Sequence, residues 1–450
     1  MIVIAGRLQL HFKQILALGF GLIILAGALL LTLPAANREG VSLPFVDALF
    51  TAVSATCVTG LAVADTYTQF SAFGQAVILL LIQTGGLGFM TVAILVPLAL
   101  GKRIGLKERG LLMESVSTPQ LGGVVRLVRH ILIGTFFFEG IGVILLSLRF
   151  CPIFGLGQGL WMGVFHAVSA FCNAGFDLMG RLSPGSSLTA FAGDPLVNLV
   201  IAGLIIIGGI GFIVWEDVWQ NRFRFARYRL HTKIVLCVTA ALLVLPTLLF
   251  YFLERGHAFA GMSGGGKWLA AFFQAVTPRT AGYNTVDMAS LSPGGSFLTM
   301  ALMFTGASPG STGGGIKTTT LLVVLLSLAS HVRHQNESLN IFHRRLEPEV
   351  LRQAYCGMSL YLLLVAAGCF ALCAFGGFAV EDSLFETISA IGTVGLSRGI
   401  TPQLNGACKA AVMLLMYIGR LGSLSVAIAV AGRKREPQRL KNPEEKITVG

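Results

Sequence analysis

Residues Leu49–Leu61 read LFTAVSATCVTGL, and the pattern returns three times: VFHAVSAFCNAGF at Val164–Phe176, AFFQAVTPRTAGY at Ala271–Tyr283 and LFETISAIGTVGL at Leu384–Leu396. Each stretch has a phenylalanine ten residues before a glycine: Phe50/Gly60, Phe165/Gly175, Phe272/Gly282 and Phe385/Gly395. The glycines stand 115, 107 and 113 residues apart. An internal repeat of this kind decides the architecture before any local reading does. A single such glycine would be a turn or a close helix contact, because glycine is common in membrane helices. Four in register need a shared cause.

Composition supplies the setting. The 450 residues are 54% hydrophobic and 12% charged, against about 25% charged in a soluble domain. Apolar runs recur from Ile15 to Val430, and a spanning helix needs about 20 such residues. The chain reads as a polytopic membrane protein without a large soluble domain. No small-residue cleavage site follows the first apolar segment, so that segment reads as a retained helix. Of 33 basic residues, 23 fall in the first fourteen positions, 101–130, 216–233, 331–352 and the tail after Gly432. The positive-inside rule puts these in the cytoplasm together with both termini, in a plasma membrane. The net charge of +12 thus reflects orientation and not nucleic-acid binding. The eight cysteines form no CxxC pair and read as small buried hydrophobes rather than metal ligands or disulfides.

Each repeat runs long apolar helix, loop, short apolar segment, glycine, long apolar helix. The short segment, about 10–13 residues, cannot span and reads as re-entrant. The expected fold is an all-α polytopic membrane protein. Four tandem helix–pore loop–helix repeats sit in pseudo-fourfold arrangement around a central pore, with eight transmembrane helices and four re-entrant pore helices. The boundaries are 1–110, 111–222, 223–340 with an intramembrane gate loop at 306–318, and 341–432, followed by a basic cytosolic tail at 433–450. Asp47 and Glu381–Asp382 open two of the short helices, where acidic groups complement the helix dipole.

Non-helical backbone at membrane depth survives only inside protein or along a watery path. The stretches ending at the four glycines therefore line the pore: Val58-Thr59-Gly60, Asn173-Ala174-Gly175, Thr280-Ala281-Gly282 and Thr393-Val394-Gly395. The last echoes the Thr-Val-Gly run of potassium-channel filters, whose carbonyls replace the ion's hydration shell.

A second signal is ASPGSTGGGIKTTT, Ala307–Thr320. It is not a nucleotide loop, because Ile316 separates Gly315 from Lys317 and breaks the G-x-x-x-x-G-K-[ST] spacing. Proline and successive glycines break a helix. The returning segments of all four repeats carry glycine clusters, at 85–88, 208–211, 313–315 and 419–422, and the third is enlarged. The predicted gate comprises Gly306, Ala307, Ser308, Pro309, Gly310, Ser311, Thr312, Gly313, Gly314 and Gly315, together with Lys317 and Arg420. Arg420 interrupts an apolar run, and such charges face the protein interior or a pore. Beside a pathway it raises a Coulomb barrier on the order of a few kcal/mol. Alternatively it satisfies carbonyls of the broken third helix, and the two roles are compatible. Lys317 either binds carbonyls at the end of the loop or snorkels inward. Asp65, Asp177 and Asp287 follow the first three glycines and are candidates to concentrate cations or ordinary loop charges. Asp177 is the best placed of them.

These residues resemble the Trk/Ktr/HKT superfamily of cation transporters from about Gln14 to Gly432. The most specific pieces are Thr277–Gly282 (TPRTAG), Gly310–Thr318 (GSTGGGIKT) and Gly419–Gly422 (GRLG). Because the first repeat starts close to the N-terminus, the likeness is nearer to the bacterial Ktr-type membrane subunit. The resemblance implies K+ uptake, with K+ at the filter carbonyls and no covalently bound cofactor. It implies a homodimer in the lipid bilayer, and a separate cytosolic nucleotide-binding ring (ATP/ADP or NAD-type) as regulator. Glycine at all four filter positions is the family pattern for potassium; a serine in the first repeat marks sodium-permeable relatives, and here that position is Gly60. The alternative is a sodium- or proton-coupled symporter on the same scaffold, with Na+ as coupling or activating ion. An ATP-driven enzyme is disfavoured, since no cytosolic stretch exceeds roughly 30 residues, too short for a domain.

Overall fold

The computed structural model describes residues 12–88, 123–222, 224–333 and 344–422, with the short pieces 2–4, 8–10 and 340–342 and a few single residues between. The tail at 433–450 and most of the basic loop at 101–130 lie outside the described residues.

The chain is mostly helical. Among the described residues, two small antiparallel ribbons depart from the all-α expectation: β1 (Ile2–Ile4) with β2 (Leu8–Leu10), and β3 (Asn340–Ile341) with β4 (Arg344–Arg345). Among the described residues, four helices are long and apolar enough to cross a membrane. They are α1 (Phe12–Thr32), α4 (Val124–Phe154), α8 (Leu230–Glu254) and α12 (Pro348–Gly376). A short helix follows each: α2 (Phe45–Thr56), α5 (Leu156–Phe171), α9 (Gly264–Val276) and α13 (Val380–Gly392). The returning segments are α3 (Ala72–Leu87), α6 (Pro195–Gly209) with α7 (Phe212–Asn221), α10 (Pro293–Phe304) with α11 (Thr318–Val332), and α14 (Gly406–Leu421).

Burial is inverted relative to a soluble protein. Ser54, Ala55 and Thr56 at the end of α2, and Ser389, Ala390 and Ile391 in α13, are fully buried although half of them are polar. The long helices instead turn Leu22, Leu148, Phe252 and Phe370 outward, each more than 60% exposed. Hydrocarbon covers such side chains without cost, whereas backbone polar groups must be satisfied internally. The polar turns therefore collect at the centre. The returning helix of each section packs against the short helix of the next: α3 on α5, α6 on α9, α10 on α13, and α14 back on α2.

The returning segments do not form the continuous spans expected. α6 meets α7 at 92°, a loop divides α10 from α11, and α3 and α14 each stop after 16 residues at Gly88 and Gly422. The cause is common to three of the four. Gly88, Gly211 and Gly422 have φ of 81°, 98° and 87° with ψ of 129°, 142° and 125°, a region reached readily only without a Cβ. The sequence expectation reserved the major break for the third section; the break is general. The clusters also permit close approach. A Cβ on Gly85, Gly208 or Gly419 would lie within about 2 Å of the Thr56, Phe171 or Ile391 carbonyl oxygen at the end of the neighbouring short helix.

Two further expectations are corrected. In the third section the fully buried phenylalanine is Phe273, while Phe272 is half-buried; Phe273 stands where Phe50, Phe165 and Phe385 do, because Thr277 lies five residues before its glycine where Ser54, Ser169 and Ser389 lie six before theirs. Of the eight cysteines only Cys57, Cys172 and Cys408 are buried, and Cys237 and Cys356 are exposed on the long helices.

Candidate functional site

Each short helix ends in the same backbone figure. Two residues before the glycine, Val58, Asn173, Thr280 and Thr393 adopt left-handed φ of 53°, 57°, 64° and 52°. The glycines follow at 92°, 69°, 76° and 92°. The residues between them, Thr59, Ala174, Ala281 and Val394, are not left-handed. Left-handed φ is costly for a residue with a Cβ, the more so for a β-branched one. Its repetition at four equivalent places marks a backbone held by its surroundings.

A hydroxyl braces every turn. Ser54 and Ser389 accept from the Gly60 and Gly395 amides, both at 3.1 Å. Ser169 donates to the Phe176 carbonyl at 2.7 Å, and Thr277 to the Tyr283 carbonyl at 2.5 Å. Sections one and four thus share one variant, and sections two and three the other. These hydroxyls were absent from the expected site residues, although the Ser/Thr stands in all four repeats. The shorter third turn is visible in the ladder: Ala281 N reaches Thr277 O, four residues back, where Thr59, Ala174 and Val394 reach five back to Ser54, Ser169 and Ser389.

The four glycines close a cycle. A Cβ placed on Gly60 would stand 2.5 Å from the Ala174 oxygen, on Gly175 2.7 Å from that of Ala281, on Gly282 2.5 Å from that of Val394, and on Gly395 2.0 Å from that of Thr59. Gly60, Gly175, Gly282 and Gly395 and the residues just before them, Thr59, Ala174, Ala281 and Val394, are therefore brought to one ring. Asn173 Nδ2 also reaches the Arg279 carbonyl at 3.2 Å, and Tyr283 Oη the Phe176 carbonyl at 3.0 Å, tying the second and third turns together.

The loop between α10 and α11 packs directly on this ring. Gly306 folds back on Gly314 and Gly315, so a Cβ there would meet the Gly314 oxygen at 2.4 Å. Ala307 N donates to Gly314 O at 3.3 Å. Ser311 Oγ closes on Ser308 O at 2.6 Å. Thr312 Oγ1 reaches Phe171 O at 3.2 Å and Asn173 Oδ1 at 3.3 Å, and Gly314 N donates to Thr393 Oγ1 at 3.1 Å. A Cβ on Gly313 would stand 2.1 Å from Thr280 Oγ1. Three of the four left-handed residues thus touch the loop. From the other side, Ser308 N and Thr312 N donate to Gly209 O and Gly208 O, and Phe212 N donates to Gly310 O, next to Pro309. Beside the loop a cavity of about 300 Å³ opens between α11, α12 and α14, lined by Gly315, Lys317, Gln353, Tyr361 and Gly422 among others.

Both basic candidates bond to carbonyls. Lys317 Nζ donates to Gly313 O at 2.8 Å, so the carbonyl-binding alternative holds for it. Arg420 donates to Thr312 O of the loop, to Gly85 O, and to Gly86 O at 3.1 Å. Its reach to the first section was not legible locally. That contact belongs to a seam: no covalent link joins the fourth section to the first. Lys409 Nζ pairs with Asp47 at 2.5 Å, and Tyr417 Oη donates to Ala17 O at 2.6 Å, so polar contacts bridge the seam at three levels.

The outer carboxylates are mostly committed to structure. Asp65 Oδ1 caps Tyr67 N and Thr68 N at 3.0 and 2.8 Å, and its Oδ2 accepts from Gly185 N. Asp287 accepts from Ala289 N at 3.0 Å. Glu381 and Asp382 pair with Arg398. Asp177 accepts from Met179 N at 2.8 Å. Burial, helped by the charge of Asp65, pushes its carboxyl up to about 7.

The family model "TrkH: Cation transport protein" matches residues 19–438. The chain is 44% identical over 441 residues to "Ktr system potassium uptake protein B" of Bacillus subtilis strain 168, covering 97% of this chain and 96% of that one. It is 39% identical over 450 residues to "Potassium/sodium uptake protein NtpJ" of Enterococcus hirae, covering 99% and 98%. The crystal structure of the potassium transporter TrkH from Vibrio parahaemolyticus shares the fold, with a TM-score of 0.74 at 18% identity over 94% of this chain and 86% of that one. The chain belongs to the TrkH family of cation transport proteins.

Proposed function

We propose that this chain takes up potassium through a central pore formed by its four sections in pseudo-fourfold arrangement. The carbonyls of Thr59, Ala174, Ala281 and Val394 strip water from the ion, and Gly60, Gly175, Gly282 and Gly395 let them converge. The single observation that carries this is the cyclic closure of the four glycines. A carbonyl ring at membrane depth is the recurring chemistry for a dehydrated alkali cation. The C-terminal ends of α2, α5, α9 and α13 add partial negative charge at the same place. The names of the Bacillus and Enterococcus relatives support potassium as the ion.

The loop at 306–318 is the gate in this reading. Its contacts to Asn173, Thr280 and Thr393 support a position across the path, and the adjoining cavity gives it room to move. Arg420 and Lys317 latch it by its own carbonyls. A separate cytosolic nucleotide-binding subunit regulates it, as the word "system" in the Bacillus relative's name supports, and two copies form the working unit. The second reading, sodium as coupling or co-transported ion, is favoured by the potassium/sodium name of the Enterococcus relative.

The deciding experiment is rescue of a potassium-uptake-deficient cell with external sodium varied. Growth at limiting potassium that does not depend on sodium supports a potassium pore. Growth that requires sodium transfers support to the coupled reading, and no rescue with the protein in the membrane refutes both.

A further inference from the structure

The corner between α6 and α7 joins a surface that the uptake reading leaves unused to the loop at the centre. It is tied to the N-terminal end of α4 by Glu216, whose Oε2 lies 2.7 Å from His130 Nδ1. On α4 the exposed Arg126, Arg129 and His130 give way at once to the exposed Ile133, Phe136 and Phe137. The polar–apolar boundary falls at that level, on the side where basic residues gather. α7 turns by 92° from α6, so where α6 crosses the membrane α7 lies along this boundary. Trp219 on α7 is 82% exposed, and tryptophan favours that boundary. Arg222, Arg224 and Arg227 follow, all exposed. Among the described residues no carboxylate pairs with any of the three, whereas Arg229 has Asp217 at 4.0 Å.

The inner end of the corner holds the loop. Ser308 N to Gly209 O at 3.1 Å, Thr312 N to Gly208 O at 3.3 Å and Phe212 N to Gly310 O at 2.8 Å are main-chain bonds, so side-chain rotation cannot release them. A displacement of α7 must either carry the loop or break them.

We propose that Trp219 with Arg222, Arg224 and Arg227 forms a binding surface for anionic phospholipid headgroups of the inner leaflet, and that bound headgroups hold the α6–α7 corner so that the loop stays against the glycine ring. Guanidinium groups recognise phosphate oxygens through paired charge-assisted hydrogen bonds, and an interfacial aromatic beside clustered basic residues is the pattern of an anionic-membrane anchor. The loop half of the proposal rests on the uptake reading; the binding half does not.

The full chain is reconstituted in mixed vesicles of phosphatidylcholine and phosphatidylglycerol, with bromine on the acyl chains of one lipid or the other. Quenching of Trp219 is read as the difference from Trp219→Phe. Stronger quenching from brominated phosphatidylglycerol is expected, lost in Arg222→Gln/Arg224→Gln/Arg227→Gln. Each arginine contributes about fivefold to the attraction at low salt, so the triple change lowers the preference by roughly a hundredfold. Equal quenching from the two lipids in the unaltered protein overturns the binding surface. So does a triple variant that keeps its lipid preference but no longer retains a soluble nucleotide-binding partner. In the same vesicles, potassium efflux from the triple variant is expected to be faster by about fivefold, the factor of one such charge. Equal efflux overturns the coupling to the loop. If no variant conducts while the quenching difference persists, the binding half stands and the loop half falls with the uptake reading.

Discussion

Substitution of Gly395 by alanine separates the ring from ordinary glycine strain, because Gly399 provides a control four residues away. Both have left-handed φ, 92° and 93°. An alanine at either position incurs the same backbone penalty, about 1–2 kcal/mol, which a fold stable by about 5–15 kcal/mol survives. Their surroundings differ. A Cβ at Gly399 meets nothing within 4 Å, while at Gly395 it would stand 2.0 Å from the Thr59 oxygen and 3.0 Å from Gly60 Cα. Carbon–oxygen contacts settle at about 3.3 Å, so that oxygen must retreat by the difference, about 1.3 Å. Carbonyls moved that far no longer close on a dehydrated potassium ion. We expect Gly395→Ala to raise the potassium KM at least tenfold, about 1.4 kcal/mol, and to narrow the preference over sodium. Gly399→Ala should leave both unchanged while lowering Tm. Uptake kinetics in a transport-deficient cell, with membrane content normalised, measure the pair. If Gly395→Ala keeps the parental potassium KM and selectivity, or if both variants lose them equally, the ring is not the selective element.

Three other outcomes follow from the same geometry. Arg420→Gln removes the charge that bonds the Thr312, Gly85 and Gly86 carbonyls; potassium flux in liposomes should rise, on the order of tenfold for a lost charge-assisted contact, with selectivity intact. A change in selectivity without a change in flux would place Arg420 in the filter instead. Deleting residues 309–311 shortens the loop while sparing Thr312 and Gly314, and should raise flux without altering ion preference; unchanged flux argues against a gate. For Asp177, burial and Asp65 hold the carboxyl protonated until about pH 7, above the usual carboxylate range. The neutral form is therefore favoured on folding. Stability falls as pH rises from the unfolded value towards about 7, and the mouth gains its negative charge only above that window. Potassium KM should improve between pH 6 and 8 in the parent, by less than about fivefold for one screened charge, and stay flat in Asp177→Asn. An equal pH response in both assigns the effect elsewhere.

Much of the site was legible because it is periodic along the chain. The Phe-to-glycine spacing marked four turns, and the cluster at Gly313–Gly315 marked a loop in an apolar segment. What was missed is what periodicity cannot carry. A fixed spacing of ten selected Phe272 where Phe273 is the buried residue, because a one-residue deletion within a turn shifts everything before it while the glycine stays in place. Arg420 could be placed in the interior by the cost of burying its charge, yet its acceptors lie more than 300 and just over 100 residues away, a pairing that no local pattern encodes. Asp65 and Asp287 looked like surface charge because sequence shows the carboxylate but not the amides it caps.

The glycine clusters carry the same lesson one step further. Each was visible, but only the third, with its proline, satisfied the rule for a broken helix. In the structure Gly88, Gly211 and Gly422 break their helices with one shared φ/ψ, and Gly85, Gly208 and Gly419, three residues earlier, leave room for a carbonyl where a Cβ would otherwise stand. The break is set by the backbone that only a glycine reaches readily, and the close approach to a neighbouring helix end is a second demand, met by the glycine three residues earlier. A bulky substitution at Gly208 should therefore push α6 off Phe171 and disturb Thr312, which bonds to both the Gly208 and the Phe171 carbonyls. Gly203, on the same helix with nothing within 4 Å of its Cβ position, should accept alanine freely. If Gly203→Ala and Gly208→Ala prove equally harmless to flux and stability, close packing is not what the clusters are for.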